Sequence, residues 1–284
     1  MEFNCYSTRF MPELPEVETI VRELRETAIG KKFWGLEGRV KSTFIPSFEV
    51  VKDQLLGLRI LNVTRRGKFI VFELDRHMRL VIHLRMSGRL LWKKLYRKES
   101  HVRAVFVFSD ATALYFCDAR KFGRIWLADK DEIDALSGMD RLGVEPLADL
   151  NEDLFMKMLQ GRKGILKNTL LRQDMIAGIG NIYADESCFR SGLHPQSRLE
   201  ALRKEDKERL YEAIVHCLKE GIEHCGVSMT DFIGTRGELG KHQDYLKIYG
   251  RKDDPCYNCG TTIKKMVVAG RGTFVCPQCQ KLRK

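Results

Sequence analysis

Met11-Pro12-Glu13-Leu14-Pro15-Glu16-Val17-Glu18 sets one proline directly behind a methionine and a second at the head of an apolar-periodic run. A proline that follows a trimmed methionine becomes an N-terminal secondary amine, and such an amine is a candidate nucleophile. Ten residues, Met1 to Phe10, stand in front of this stretch. In the chain as written the Pro12 nitrogen is a tertiary amide with no free lone pair, unable to act as a nucleophile. The expectation is therefore that Met11 is the working start and that residues 1–11 are absent from the mature protein.

Outward from Pro15, the residues Val17, Ile20, Val21, Leu24 and Ala28 recur at helical spacing until Gly30, with Glu16 and Glu18 in the first turn. This predicts one amphipathic helix. From Phe33 to about Leu127 the pattern changes to short runs rich in β-branched and aromatic residues. They include Leu58 to Val63, Phe69 to Leu74, Leu80 to Leu84, Ala104 to Phe108 and Leu114 to Cys117. With no crossover helices expected between them, these runs predict an antiparallel sandwich. Helical patterning takes over from about Asp131. It is clearest where Leu210, Ile214, Cys217, Leu218, Ile222 and Cys225 form one face of a long segment. Gly143 to Asp149 breaks periodicity and is read as a linker.

The chain has 284 residues, 44% of them hydrophobic, enough for a sizeable core and for more than one domain. Its net charge is +11, and Lys241 to Lys284 holds 10 basic and 3 acidic residues, so most of the excess lies in the last segment. A polyanion such as nucleic acid is the expected partner. No apolar run is long enough to span a bilayer, and the first residues lack the pattern of a signal peptide. Nine cysteines without a secretory signal point to a reducing, cytoplasmic compartment, where close pairs serve metals.

Cys256-Tyr-Asn-Cys259 and Cys276-Pro-Gln-Cys279 have the spacing of two thiolate knuckles around one Zn²⁺. Four thiolates leave no open coordination position, so the ion is structural, stapling a segment too short for its own core. Between the knuckles, Lys264 to Val268 and Gly272 to Val275 can pair around Ala269-Gly270-Arg271, which puts Arg271 at a hairpin tip. Cys117, Cys188, Cys217 and Cys225 read as small core residues. Gly178-Ile179-Gly180-Asn181 can expose backbone N–H groups at a following helix start, a site suited to phosphate, or it can be an ordinary tight turn.

The opening stretch is similar to the amino terminus of the formamidopyrimidine-DNA glycosylases, bacterial base-excision repair enzymes. The resemblance continues in order through Arg65-Arg66-Gly67-Lys68, His83-Leu84-Arg85-Met86-Ser87-Gly88, Asp118-Ala119-Arg120-Lys121-Phe122-Gly123, the run Gly178 to Glu186, and the zinc hairpin. Leu14 resembles the formamidopyrimidine branch, whereas the endonuclease VIII branch typically has glycine there. The family implies an α+β multidomain protein. Its parts are a catalytic β-sandwich with a leading helix over 12–143, a helical helix-two-turn-helix domain over 144–240 and a four-cysteine zinc-finger hairpin over 241–284.

The resemblance also implies a monomeric glycosylase with abasic-site lyase activity that removes 8-oxoguanine and formamidopyrimidines from double-stranded DNA. It makes Pro12 the nucleophile that forms a Schiff base with C1′, Glu13 the acid/base carboxylate and Lys68 a catalytic lysine at phosphate. Met86, Arg120 and Phe122 match positions that fill the gap left by an extruded base. Asn181 and Arg271 match phosphate contacts, joined by His83 and Lys167, and Met229 to Gln243 looks like the loop that closes over the extruded base. Two alternatives stand beside this reading. One is a glycosylase for oxidised pyrimidines, and the other a non-catalytic damaged-DNA-binding protein, correct if residues 1–11 are retained.

Overall fold

The computed structural model describes residues 11–95, 98–229 and 232–284, so the leader Met1 to Phe10 lies outside the described residues. Helix α1 (Leu14–Ala28) buries Leu14, Val17, Ile20, Val21, Leu24 and Ala28, the face its periodicity predicts. The strands that follow are β1 (Phe33–Gly38), β2 (Phe44–Ile45), β3 (Ile60–Arg66), β4 (Phe69–Leu74) and β5 (Met78–His83). They continue as β6 (Gly88–Lys94), β7 (Val102–Phe108), β8 (Thr112–Asp118) and β9 (Arg124–Asp129). Two sheets result, one of order β1-β7-β8-β6 and one of order β2-β9-β5-β4-β3. Phe33, Leu36, Leu90, Phe106, Phe108 and Phe116 meet Ile70, Phe72, Ile82 and Ile125 in one buried cluster, the sandwich the sequence predicts.

Two details depart from expectation. The β2–β9 pair is parallel, whereas the other strand pairs of the two sheets are antiparallel. A helix also interrupts the strand region. Helix α2 (Phe48–Leu55) starts where the Ser47 hydroxyl accepts the Val50 N–H at 3.2 Å, and it buries Val51 and Leu55. Two buried positions in eight residues make too faint a period to stand out between strands.

Past the sandwich come α3 (Ile133–Ser137), α4 (Glu152–Leu159), α5 (Leu166–Leu170), α6 (Asn181–Arg190) and α7 (Lys204–Glu223). Helix α1 packs on α7 as well as on β3, so the helix that opens the sandwich also belongs to the helical layer. Its buried side chains share one core with Ile182, Tyr183, Leu210 and Ile214, and that core reaches Phe274. Gly143 to Asp149 is no free tether: Gly143 N–H donates to Gln173 O and Val144 N–H to Met175 O. Cys225, expected in the core, is exposed. It lies beyond the end of α7 with φ of 58°, and the left-handed turn swings its side chain off the apolar face.

Strands β10 (Lys264–Val268) and β11 (Arg271–Val275) pair antiparallel. The turn is Ala269-Gly270, with φ of 54° and 67°, so Arg271 is the first residue of β11 and faces Val268. Among the described residues no helix is long and apolar enough to cross a membrane.

Candidate active site

Met11, Glu13, Lys68, His83, Asn181 and Arg271 line one cavity of about 310 Å³. They come from the start of α1, the β3–β4 turn, the end of β5, the start of α6 and the start of β11. Two of the sequence-predicted catalytic residues, Glu13 and Lys68, and three of the predicted phosphate contacts thus meet between the sandwich and the helical layer. Pro12 is buried between Met11 and Glu13, two residues of the cavity wall.

Glu13 is 3% exposed, and its carboxylate is seated on the first turn of α6. Oε2 accepts the Gly180 N–H at 2.7 Å and Oε1 the Ile182 N–H at 2.9 Å, with the Tyr183 N–H 3.4 Å from Oε2. Donors at Gly180 and the start of α6 therefore hold a carboxylate of this chain, where the sequence left open an external phosphate or an ordinary tight turn. The physics is the same, because a helix N-terminus attracts negative charge. A Cβ on Gly180 would lie 2.3 Å from Glu13 Cδ, so close approach makes this glycine necessary. Burial pushes the Glu13 pKa up, while Lys68 and the three N–H donors oppose the shift.

Lys68 is buried at the turn between β3 and β4, and burial lowers its pKa against the attraction of Glu13. The turn is clamped by Glu145, from the stretch read as a linker. Its carboxylate accepts from Arg65 Nη1 at 2.8 Å, Arg66 Nη1 at 3.2 Å and the Gly67 N–H. Arg66 Nη2 also donates to the carbonyls of Leu142 and Gly143 at 2.8 and 2.7 Å. His83 Nδ1 accepts the Arg85 N–H at 2.9 Å, which leaves the ring proton on Nε2. Burial, with Arg85 and Lys68 beside it, holds His83 well below its usual pKa, so it is a neutral donor.

Met86, Arg120 and Phe122 lie together. Arg120 Nη1 approaches Met86 Sδ at 3.4 Å, its guanidinium stands 4.9 Å over the Phe122 ring, and Phe122 is 48% exposed. A large aromatic held at a turn in this way is available to a partner. Buried Asp118 shapes the group: it accepts the Ser87 hydroxyl, the Arg120 N–H at 3.1 Å and the Gly123 N–H at 2.8 Å.

Lys167 is placed differently from the expectation. It is 0% exposed, its Nζ lies 2.6 Å from Asp185 Oδ1, and it donates to Thr273 Oγ1 at 2.7 Å. It is sealed beneath β11 and reaches no phosphate in this arrangement; α5 sets it inward, a direction that its charge alone does not reveal. Of the expected loop 229–243, residues 230 and 231 lie outside the described residues. Its Thr235 is held against the sandwich, donating from Oγ1 to Glu23 at 2.6 Å and accepting the Trp92 N–H at 2.8 Å.

The four cysteine sulfurs converge, with 3.9 Å between Cys256 and Cys279 and 3.5 Å between Cys259 and Cys276. A tetrahedral ion with Zn–S bonds of about 2.3 Å separates its sulfurs by about 3.8 Å, so the cluster fits one zinc ion.

Comparison with known proteins agrees with this geometry. The formamidopyrimidine-DNA glycosylase N-terminal domain matches residues 11–125, the H2TH domain of the same glycosylases residues 142–232, and the zinc finger found in FPG and IleRS residues 253–282. The formamidopyrimidine-DNA glycosylase of Pelotomaculum thermopropionicum is 40% identical over 276 residues, which is 96% of this chain and 100% of that protein. The chain belongs to the formamidopyrimidine-DNA glycosylase family. Among solved structures, a Lactococcus lactis Fpg mutant in complex with Fapy-dG-containing DNA superposes with a TM-score of 0.89. It is 35% identical and covers 95% of this chain and 100% of its own. Wild-type Lactococcus lactis Fpg in complex with DNA containing an oxidised pyrimidine gives 0.88 at the same identity, with the same coverage.

Within this family member, Glu16 is a site residue that the sequence reading left as an ordinary helix-start carboxylate. It is 0% exposed and accepts from the Glu13 N–H at 2.8 Å, the Val227 N–H at 2.9 Å and the Tyr183 hydroxyl at 3.0 Å. It thereby fixes the peptide that follows Pro12. Burial first, and the neighbouring Glu13 second, push its pKa from 4.5 up to about 7. A raised carboxyl pKa means that the native state binds the proton more tightly, so the contribution is full below pH 4.5 and lost as pH rises through about 7. Glu16→Gln is expected to remove a slope worth roughly 3 kcal/mol across that window. Denaturant unfolding of both proteins at pH 5 and pH 8 checks it, and parallel pH dependences would reject this titration.

Proposed function

We propose that this protein is a base-excision repair glycosylase and lyase that removes oxidised purines from double-stranded DNA through the amine of Pro12. The observation that carries the reading is the seat of Glu13. The carboxyl directly after Pro12 is buried on the N-terminus of α6, in a cavity that also holds Lys68 and Arg271.

The chemistry follows from these positions. A base inside a duplex is inaccessible, so the damaged nucleotide is extruded at a cost of about a few kcal/mol. Phe122, Met86 and Arg120 project as one group suited to fill the gap, with Phe122 wedging the stack. The freed Pro12 nitrogen attacks C1′ and the base departs. Glu13, whose burial favours the protonated carboxyl, gives its proton to the opening sugar ring oxygen. The resulting iminium acidifies the adjacent sugar proton, so elimination expels the 3′ phosphate and then the 5′ phosphate. Lys68, Arg271 and Asn181 face the same cavity and would grip the flanking phosphates without reading sequence, as a scanning enzyme requires. One structural zinc holds the hairpin that carries Arg271 and takes no part in the reaction.

Oxidised pyrimidines are a second substrate class, favoured by the Lactococcus lactis Fpg complex with such DNA. Incision of duplexes carrying 8-oxoguanine opposite cytosine is expected to exceed incision of thymine glycol duplexes by about 10-fold or more. A reversed ratio would assign the chain to pyrimidine repair. On the same duplexes Phe122→Ala is expected to lose lesion-specific affinity while its zinc content and melting temperature stay unchanged. Unaltered preference for the lesion would remove Phe122 from the wedge.

A further inference from the structure

Lys167 and Asp185 are both 0% exposed and form an ion pair of 2.6 Å, away from solvent. Removing two charges from water costs several kcal/mol per ion, and apolar residues of similar volume often fold as well or better. A buried pair is therefore weak evidence for stability alone. Its other contacts show what it does. Lys167 Nζ donates to Thr273 Oγ1 at 2.7 Å and lies 3.4 Å from Gly272 O, while Asp185 Oδ2 accepts the Phe274 N–H at 3.0 Å. Three successive residues of β11 are thus held by one ion pair. Asn181, one turn before Asp185 on α6, adds a fourth contact by donating to Gly272 O at 2.9 Å. The residue immediately before this gripped triplet is Arg271, exposed on the cavity wall.

We propose that Lys167 and Asp185 are positioning residues that set the register of β11 on α6 and so hold Arg271 at the phosphate-binding wall of the cavity. A strand that slips by one residue turns every side chain to the opposite face, so the register of β11 decides whether Arg271 faces the cavity or leaves it. Zinc closes the ends of the hairpin, and the charged pair meets β11 between them. Lys167 and Asp185 bond to one set of backbone and hydroxyl groups, and a shifted strand would leave both charges buried without those partners. The inference rests on the proposed reading of Arg271 as a phosphate contact.

The test is a coupling measurement on the full zinc-loaded chain, with a duplex carrying a tetrahydrofuran abasic-site analogue titrated over a range of salt. Arg271→Ala in the wild-type background is expected to weaken binding about 10-fold and to lower the salt slope by about 1. In the Lys167→Met/Asp185→Leu background the slope is already lower, and adding Arg271→Ala costs less than about 2-fold. Thr273→Val, which removes the hydroxyl that accepts from Lys167 and donates to Arg271 O at 3.1 Å, is expected to reduce the coupling in the same direction, and Thr273→Ser to restore it. These single-site variants decide the matter if the apolar pair fails to fold. A full 10-fold Arg271→Ala penalty and an unchanged slope in a folded pair variant, or in Thr273→Val, would overturn the positioning role. No effect of Arg271→Ala in the wild-type background would instead overturn the phosphate reading, and the inference with it.

Discussion

Protein whose first residue is Pro12 is expected to be trapped covalently by borohydride on duplex DNA carrying 8-oxoguanine opposite cytosine, whereas chain retaining Met1 to Met11 is not. The difference is a matter of bonding. In the longer chain the Pro12 nitrogen is an amide conjugated with the Met11 carbonyl, and in the shorter one it is a secondary amine with a free lone pair. Ordinary α-amines titrate near pH ~8, so a usable unprotonated fraction exists at neutral pH. Removing a nucleophile outright lowers turnover by factors on the order of 10⁴ or more, the scale expected between the two forms in excision of 8-oxoguanine. Mass spectrometry of the trapped complex identifies the modified residue. A cross-link on Lys68 or another side chain would reject Pro12, and lesion binding without any adduct would favour the non-catalytic reading.

Zinc removal is expected to have the second largest effect. Pro255 to Gln280 has a two-stranded sheet and few apolar side chains of its own, and isolated hairpins are marginal in water. Structural zinc contributes roughly 10–16 kcal/mol in comparable peptides, more than such a segment could otherwise gather. Chelation, or Cys276→Ser at a fully buried ligand, is expected to release β10 and β11 from α6. Arg271 then leaves the cavity and Asn181 loses its partner Gly272. Affinity for lesion-containing DNA should fall by roughly 100-fold and the salt slope should drop with it. The sandwich strands should persist, since both sheets are built from residues before Lys130. Metal analysis paired with a binding titration checks this, and a zinc-free chain with undiminished affinity would show that the finger does not position the phosphate contacts.

The elements read well from sequence where a long face or a continuous apolar run carries the signal. Helix α1 matches because it buries one face at helical period, and β4 and β7 match because they are apolar runs buried almost throughout. Strands β6 and β9 and helix α2 were less legible. In β6, Leu90 and Leu91 are buried between half-buried Arg89 and Trp92, too short an apolar run to stand out. Cys225 shows the opposite failure, a residue in phase with a helix that had already ended.

Pro12 and the four cysteines could be named from sequence because their chemistry or spacing is local, a proline after a methionine and thiols three positions apart, whereas the roles of Glu13 and Lys68 came from the family resemblance. What those groups experience is not local. Glu13 is capped by N–H groups 167 and more positions away, Glu16 by Val227, and the Lys68 turn is held by Glu145. Hydrophobic periodicity reports which face of an element is buried, but not which donors or charges that face meets. Lys167, expected at phosphate from the resemblance, therefore stands as half of a dry ion pair in the fold. Sequence alone supplied the candidate reactive groups and the metal ligands. Burial and partners brought from distant segments decided which groups hold protons, which face the cavity and which only hold others in place, because desolvation and hydrogen bonding depend on three-dimensional neighbours.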